Sequence, residues 1–386
     1  MKGTFSPTST NSAPSPWPMV DYQPLGRVIV GPGALNRLGE VVRGLDSTRA
    51  LLVTDPGLAA SGHPQRAAQF LAEAGTRVFT FDGVKENPTE KEVLAGVAVA
   101  QQHGVDCIVA IGGGSSMDCA KGINFLLTNG GKMADYKGHG KATKPMLPSV
   151  GVPTTSGTGS EAQSYALITD SSSHMKMACG DKKAAFRVSI LDPELTVSQP
   201  KMVTAVTGID AIAHALESLV CTKANPFSRM CSLAAWKHLE PNFEIVLRDP
   251  QNLAARAEMQ IGSHFAGMAI EAAMLGVCHS CANPLTAHYG LTHGTAIGIL
   301  LPHVVRFNAP VAGELYRQLS TDSETLAARI DAFVRAAGLP TRLKDFGISE
   351  GILHLMAVEA NEQWTARFNP RVVGEAEILT IYQAAW

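Results

Sequence analysis

The 386-residue sequence predicts an α/β half built on a parallel sheet, followed by an all-α half. Two observations carry this prediction. From about residue 26 to 190, short apolar runs alternate with Ala-rich, charge-decorated stretches, as in a parallel sheet covered by helices on both faces. From about residue 193 onward, strand-like runs become rare and long Ala/Leu/Met-rich helical patterns take over. The expected organisation is a tail over 1–20, an α/β domain over 21–192 and a helical domain over 193–386. A chain this long favours two cores over one.

The elements follow in order. Residues 1–18 are rich in Ser, Thr and Pro, too polar to offset the entropy of ordering, and are expected to form a flexible tail. Strands are expected at 28–31, 50–55, 77–81 and 107–114, with helices between them such as HPQRAAQFLAEAG and EKEVLAGVAVAQQHG. Gly31-Pro32-Gly33 is read as a turn, because proline removes a donor that an anion site would use. CIVAIGGGSSMDCAKG is the strongest phosphate-binding signal. Its glycines let the backbone approach an anion, and the helix that follows offers free N–H groups. Asp55 ends a strand, where a carboxylate either binds the ribose hydroxyls of NAD or caps the turn begun by Pro56-Gly57. VPTTSGTGSEAQ, at 152–163, is a hydroxyl- and glycine-rich turn.

The second half carries four residues of a different chemistry. Asp210 and His214, in TGIDAIAHALES, stand one helical turn apart on one face. His279 and His293, in CHSCANPLTAHYGLTHG, are fourteen residues apart, across a Pro and a Gly expected to break the helix. Three imidazoles and one carboxylate suit a divalent metal of intermediate softness, Fe2+ or Zn2+, and can leave a position open for a substrate oxygen. The chain has 12 histidines, and a histidine on an Ala-rich helix also serves as a satisfied core residue.

Composition narrows the field. With 32 Lys+Arg against 34 Asp+Glu, the net charge of −2 gives no general affinity for nucleic acid or an anionic membrane. No apolar run reaches the roughly 20 residues of a membrane span. The N-terminus lacks a signal-peptide core, and the seven scattered cysteines read as reduced thiols; both point to the cytoplasm. Cys278 and Cys281 flank His279 without a second such pair, and are taken as small packing residues.

These segments resemble the iron-containing (type III) alcohol dehydrogenases. TGIDAIAHALES and THGTAIGILLPHVVRFNA carry the likeness, with GGGS followed by Asp118 and Lys121, Asn87-Pro88-Thr89, and VPTTSGTGSEAQ. It extends from about residue 26 to Trp386. The resemblance implies the dehydroquinate synthase-like fold of that family. It implies a catalytic metal on Asp210, His214, His279 and His293, iron being the family's usual choice and zinc the alternative. It further implies NAD on Asp55, Asn87, Gly112, Gly113, Gly114, Ser115, Asp118, Thr154, Thr155, Thr158, Ser160 and Lys176. Glu161 is expected to order the loop. A homodimer or higher homo-oligomer is a family-level expectation.

The implied activity is hydride transfer between NAD(H) and a small primary alcohol or diol and its aldehyde, as in the lactaldehyde reductase branch. Relatives with a different activity on the same scaffold, glycerol dehydrogenase and maleylacetate reductase, are alternatives, as is a non-catalytic NAD or metal sensor. Many family members have His-x-x-x-His-Pro where this chain has His279-Ser-Cys-Ala-Asn283-Pro284, so a histidine proton relay at Asn283 is in doubt. His288 is either a substitute relay or a surface histidine. Met268, Ile270 and Met274 are expected along a substrate channel favouring short aliphatic substrates, with Glu271 either solvated or a recogniser of a hydroxyl.

Overall fold

The computed structural model describes residues 20, 22–171 and 176–386. Apart from Val20, the expected tail lies outside the described residues. In the first half the strands are β1 (Arg27–Val30), β2 (Arg49–Val53), β3 (Arg77–Phe81), β4 (Cys107–Gly112), β5 (Gly138–His139), β6 (Ser149–Pro153), β7 (Tyr165–Thr169), β8 (Lys176–Gly180) and β9 (Val188–Leu191). Its helices are α1 (Leu38–Arg43), α2 (His63–Glu73), α3 (Glu90–His103) and α4 (Gly114–Asn129). Six strands form one all-parallel sheet in the order β1-β9-β6-β4-β2-β3. Every residue of β4, β6 and β9 is buried, as a strand covered on both faces requires. Alternation along β2 and β4 splits the interior in two. Leu51, Val53, Ile108 and Ala110 join the core under α3 and α4, while Ala50, Leu52, Val109 and Ile111 join the core under α1 and α2.

The four strands expected from apolar runs are present within two residues at each end. Those expectations omitted β6 and β9, and also the small second sheet β5-β8-β7, whose β7 and β8 run antiparallel. The turn at Gly31-Pro32-Gly33 is held by the buried carboxylate of Asp192, which accepts from Gly33 N at 3.2 Å and Leu35 N at 3.0 Å.

Chain direction across the sheet reverses at β2. From β2 the chain steps outward to β3, then crosses back to β4 on the other side. The carboxyl ends of β2 and β4 therefore diverge into a crevice, the place where open α/β sheets bind ligands.

The second half is helical: α5 (Lys201–Val220), α6 (Pro226–Arg248), α7 (Leu253–Ala272), α8 (Val277–Tyr289), α9 (His293–Tyr316), α10 (Ser323–Ala336), α11 (Leu353–Glu362) and α12 (Glu375–Ala385). By length and composition α5 and α9 could each cross a membrane, which the sequence reading did not expect of any segment. Instead α5 is enclosed by the surrounding helices along most of its length and α9 along its first half, where their apolar faces join one core. Pro284 does not break its helix, contrary to expectation. It is buried within α8, which continues to Tyr289 and stops at Gly290, φ +64°. Packing of α8 against α9 and α11 outweighs a local proline cost of about 3 kcal/mol.

Candidate metal centre and cofactor cleft

Asp210 and His214 stand on successive turns of α5, a helix buried along most of its length. His279 lies in the first turn of α8, and His293 is the first residue of α9. The three elements converge on one oxygen. Asp210 Oδ1 lies 3.3 Å from His214 Nε2, 3.4 Å from His279 Nε2 and 3.6 Å from His293 Nε2. Asp210, His279 and His293 form the tightest group, each offering a ligand atom within 4.8 Å of the others. His214 approaches through Asp210.

The donor set fits a divalent cation. Ligands at roughly 2.0–2.2 Å from a tetrahedral ion stand about 3.3–3.6 Å from one another, matching the spacing around Asp210 Oδ1. Asp210 Oδ1 and His279 Nε2 are also buried without a hydrogen-bond partner among the described residues, although buried polar atoms are nearly always paired. Burial pushes the His293 imidazole down to about 3 and lowers His214, keeping both in the neutral form that ligates. Burial would raise the Asp210 carboxyl, but the surrounding histidines outweigh it and hold the group well below its usual range. Burial likewise pulls His279 down, and the charges of Glu217 and Asp210 overcome it to raise this imidazole to about 9.

Sequence reasoning missed Glu217. This buried carboxylate hydrogen-bonds His279 Nδ1 through Oε2, and its Oε1 accepts from Cys278 N at 2.8 Å at the start of α8. Fixing the proton on Nδ1 points the Nε2 lone pair at the cluster, the usual outer partner of a ligating histidine. The signal was present in the sequence: Glu217 follows His214 by three residues and Asp210 by seven, on the same helical face.

The crevice between β2 and β4 holds a cavity of about 770 Å3. Asp55, Gly113, Gly114, Ser115, Thr154 and Thr155 are among its lining residues. Helix α4 opens onto it with no side-chain cap on its first turn, leaving backbone N–H groups free for an anion. Gly112 has φ +151°, and a Cβ there would lie 2.4 Å from Ser116 Oγ, so only glycine makes this turn. Asp55 serves the turn as well as the crevice, accepting from Leu58 N at 3.0 Å and from Ser116 Oγ at 3.3 Å.

A second cavity of about 210 Å3 adjoins the first, Asn87 lining it while the preceding Glu86 lines the larger one. Asn87, Thr169 and Lys176 come to it from the first half, and Asn283, Thr286 and His293 from the second. It therefore places the most exposed of the four candidate ligands, His293, on a cavity shared by the two halves.

Several expected contacts lie elsewhere. Asp118 and Ser160 bond to each other at 2.7 Å and to Lys121, so they form an internal network rather than a wall of the crevice. Thr158 packs within 3.1 Å of where a Gly114 Cβ would stand and does not line the crevice. Glu271, expected to be either solvated or a recogniser of a hydroxyl, is partly buried and accepts from Ser164 N at 2.9 Å and Ser164 Oγ at 2.8 Å. Met268, Ile270 and Met274 are not among the residues lining the cavity at His293; Met268 borders a separate cavity of about 40 Å3. His288 pairs with Glu359 at 2.7 Å on the surface. Cys278 and Cys281 are fully buried, and burial raises both thiols, in keeping with a packing role.

Residues 26–193 match the family model of iron-containing alcohol dehydrogenase, and residues 204–386 match that of the Fe-containing alcohol dehydrogenase family, C-terminal. The chain is 36% identical over 383 residues to 1,3-propanediol dehydrogenase of Klebsiella pneumoniae, covering 95% of this chain and 99% of that one. It is 34% identical over 370 residues to the NAD-dependent methanol dehydrogenase of Bacillus methanolicus, covering 92% and 97%. A crystal structure of 1,3-propanediol oxidoreductase superposes with a TM-score of 0.91 at 34% identity, covering 96% of this chain and all of that one.

Proposed function

This chain belongs to the iron-containing alcohol dehydrogenase family, and from that premise we propose that it interconverts a small primary alcohol or diol and its aldehyde, exchanging hydride with NAD(H). Asp210, His214, His279 and His293 hold the metal in this reading, and residues 21–192 and 193–386 act as cofactor and metal domains. The observation that carries it is the convergence of three histidine Nε2 atoms on one aspartate oxygen, with one of these histidines, His293, lining a cavity beside the nucleotide crevice. When bound there, a divalent ion supplies Lewis acidity to the substrate oxygen, and NAD supplies the hydride acceptor.

The remaining work belongs to the chain. The free N–H groups of α4, with Gly113, Gly114 and Ser115, cradle the pyrophosphate. Asp55 holds the adenosine ribose hydroxyls, and its charge repels a 2′-phosphate, selecting NAD over NADP. Thr154 and Thr155 close the opposite wall, and Asn87 and Lys176 flank the inner cavity on the nicotinamide side. Glu217 keeps the proton on His279 Nδ1. Asn283 donates its amide to Gln363 Oε1 at 3.0 Å, so it orients neighbouring groups and carries no proton.

Metal analysis of anaerobically purified protein, paired with NAD(H)-linked turnover of 1-propanol, 1,3-propanediol and lactaldehyde with and without chelator, tests the proposal. Stoichiometric iron and chelator-sensitive turnover are expected. Turnover that survives complete metal removal would overturn it.

A further inference from the structure

Helix α7 belongs to the metal half, yet one of its faces is bonded along its length to the loop that walls the nucleotide crevice. The contacts fall at residues 256, 260, 264, 267 and 271, spaced by four, four, three and four, which places them in one stripe. Arg256, fully buried, donates from Nη1 to Gln199 Oε1 at 3.3 Å, and Gln199 Nε2 donates to Thr154 O at 2.6 Å. Gln260 Nε2 donates to Pro153 O at 3.2 Å. The His264 ring meets Glu161 Oε1 through Nδ1 at 3.0 Å, both side chains more than nine-tenths buried. Gly267 lies against Gly159 so closely that a Cβ on it would fall 2.5 Å from the Gly159 carbonyl oxygen. Glu271 closes the stripe on Ser164 with two hydrogen bonds.

All five contacts land within 153–164 or on the residue that holds Thr154. That segment supplies Thr154 and Thr155 to the crevice, and after β6 ends at Pro153 its residues 154–159 lie in no helix or strand. We infer that the α7 stripe positions the 153–164 loop for the dinucleotide, with His264 and Glu271 as positioning residues that set cofactor affinity from the metal half. The inference rests on the reading of the crevice as an NAD site. It does not involve the metal ligands: none of the stripe residues is among them.

The test is NADH binding, followed by nicotinamide fluorescence on the purified holoenzyme, together with KM for NAD, kcat, metal content and thermal unfolding. A hydrogen bond to a charged group that is lost from the stripe should loosen the loop. His264→Ala and Glu271→Ala should each weaken NADH binding about tenfold. Metal content should be unchanged and kcat at saturating NAD should stay within about threefold. Asparagine places an amide nitrogen where histidine has Nδ1, so His264→Asn should recover most of the lost affinity. Ser164→Ala removes one donor from the loop side and gives a milder variant should Glu271→Ala fail to fold; it should weaken NADH binding about threefold. Folded variants that bind NADH as tightly as the parent, with only a lower Tm, would overturn the inference and leave the NAD reading intact. A parent chain that binds no NADH would overturn both.

Discussion

Two clusters of buried charge, one in each half of the molecule, look alike in composition and differ in how completely they are satisfied. Lys121, Asp118 and Ser160 form the first. The Lys121 ammonium has three protons and three acceptors: Ser160 O at 2.7 Å, Ser160 Oγ at 3.0 Å and Tyr165 O at 2.8 Å. Asp118 accepts from Ser160 Oγ at 2.7 Å. Burial raises the Asp118 carboxyl and lowers the Lys121 ammonium, each offset in part by the other's charge. Asp210 and its three histidines form the second cluster, where Asp210 Oδ1 and His279 Nε2, 3.4 Å apart, are left without hydrogen-bond partners among the described residues. A network that closes on itself fastens the fold. A cluster whose unpaired atoms face one another has left a place for something else.

The sharpest way to break this contrast is to remove the shared oxygen. Asp210→Ala should abolish metal retention and lower turnover about a thousandfold or more, since the Lewis acid accounts for several kcal/mol of the barrier. Metal analysis and steady-state kinetics read both, and a variant that keeps its metal would show that the histidines suffice. Lys121→Met should do the reverse. It leaves Asp118, mostly buried and 13% exposed, without its main countercharge, a loss of about 3 kcal/mol in unfolding free energy, with metal content unchanged. Denaturant melts measure this; full stability with lost activity would make the satisfied cluster a working one. Glu217→Gln probes the edge of the open cluster. Loss of the charge behind His279 should weaken metal affinity by about 10–100-fold in a folded protein, read by competition with a chelator. Unchanged affinity would reduce Glu217 to a cap on α8.

The two clusters were also unequally legible. Asp210, His214, His279 and His293 could be picked out because their residue types and spacing already suggest a metal, and the structure brings all four to one point. Glu217 shares their helical face, but a glutamate in an Ala/Leu helix looks like surface until its burial is seen. Asp118 and Ser160 were expected at the nucleotide because the resemblance to the family carries the motifs that contain them. Their side chains turn inward to Lys121, a direction set by tertiary packing and not by neighbours in sequence. The parallel sheet was readable at β2, β3 and β4, where apolar runs end in turn residues. Strands β6 and β9, five and four residues long, fall in the same length range as β1, β2 and β3, but SVGVP and VSIL mix small and polar residues into the apolar run and so carry a weaker signal. Glu271 was read as solvated or substrate-facing because nothing local reveals Ser164, 107 residues earlier in the chain.

The smallest expected effect concerns the gap left where the family often has a second histidine. His288 is near in sequence, but its side chain is 38% exposed and its Nε2 meets Glu359 Oε2 at 2.7 Å, away from the cavity at His293. An exposed pair of this kind contributes roughly 0–1 kcal/mol to stability and holds no substrate proton. His288→Asn should therefore leave the pH dependence of turnover unchanged and stability within about 1 kcal/mol. Asn283 sits at the cavity but has no ionisable form, so it supplies no histidine relay there. A displaced acid or base limb in the His288→Asn profile would put a histidine back into the proton path, and would require α8 to turn that side chain inward during turnover.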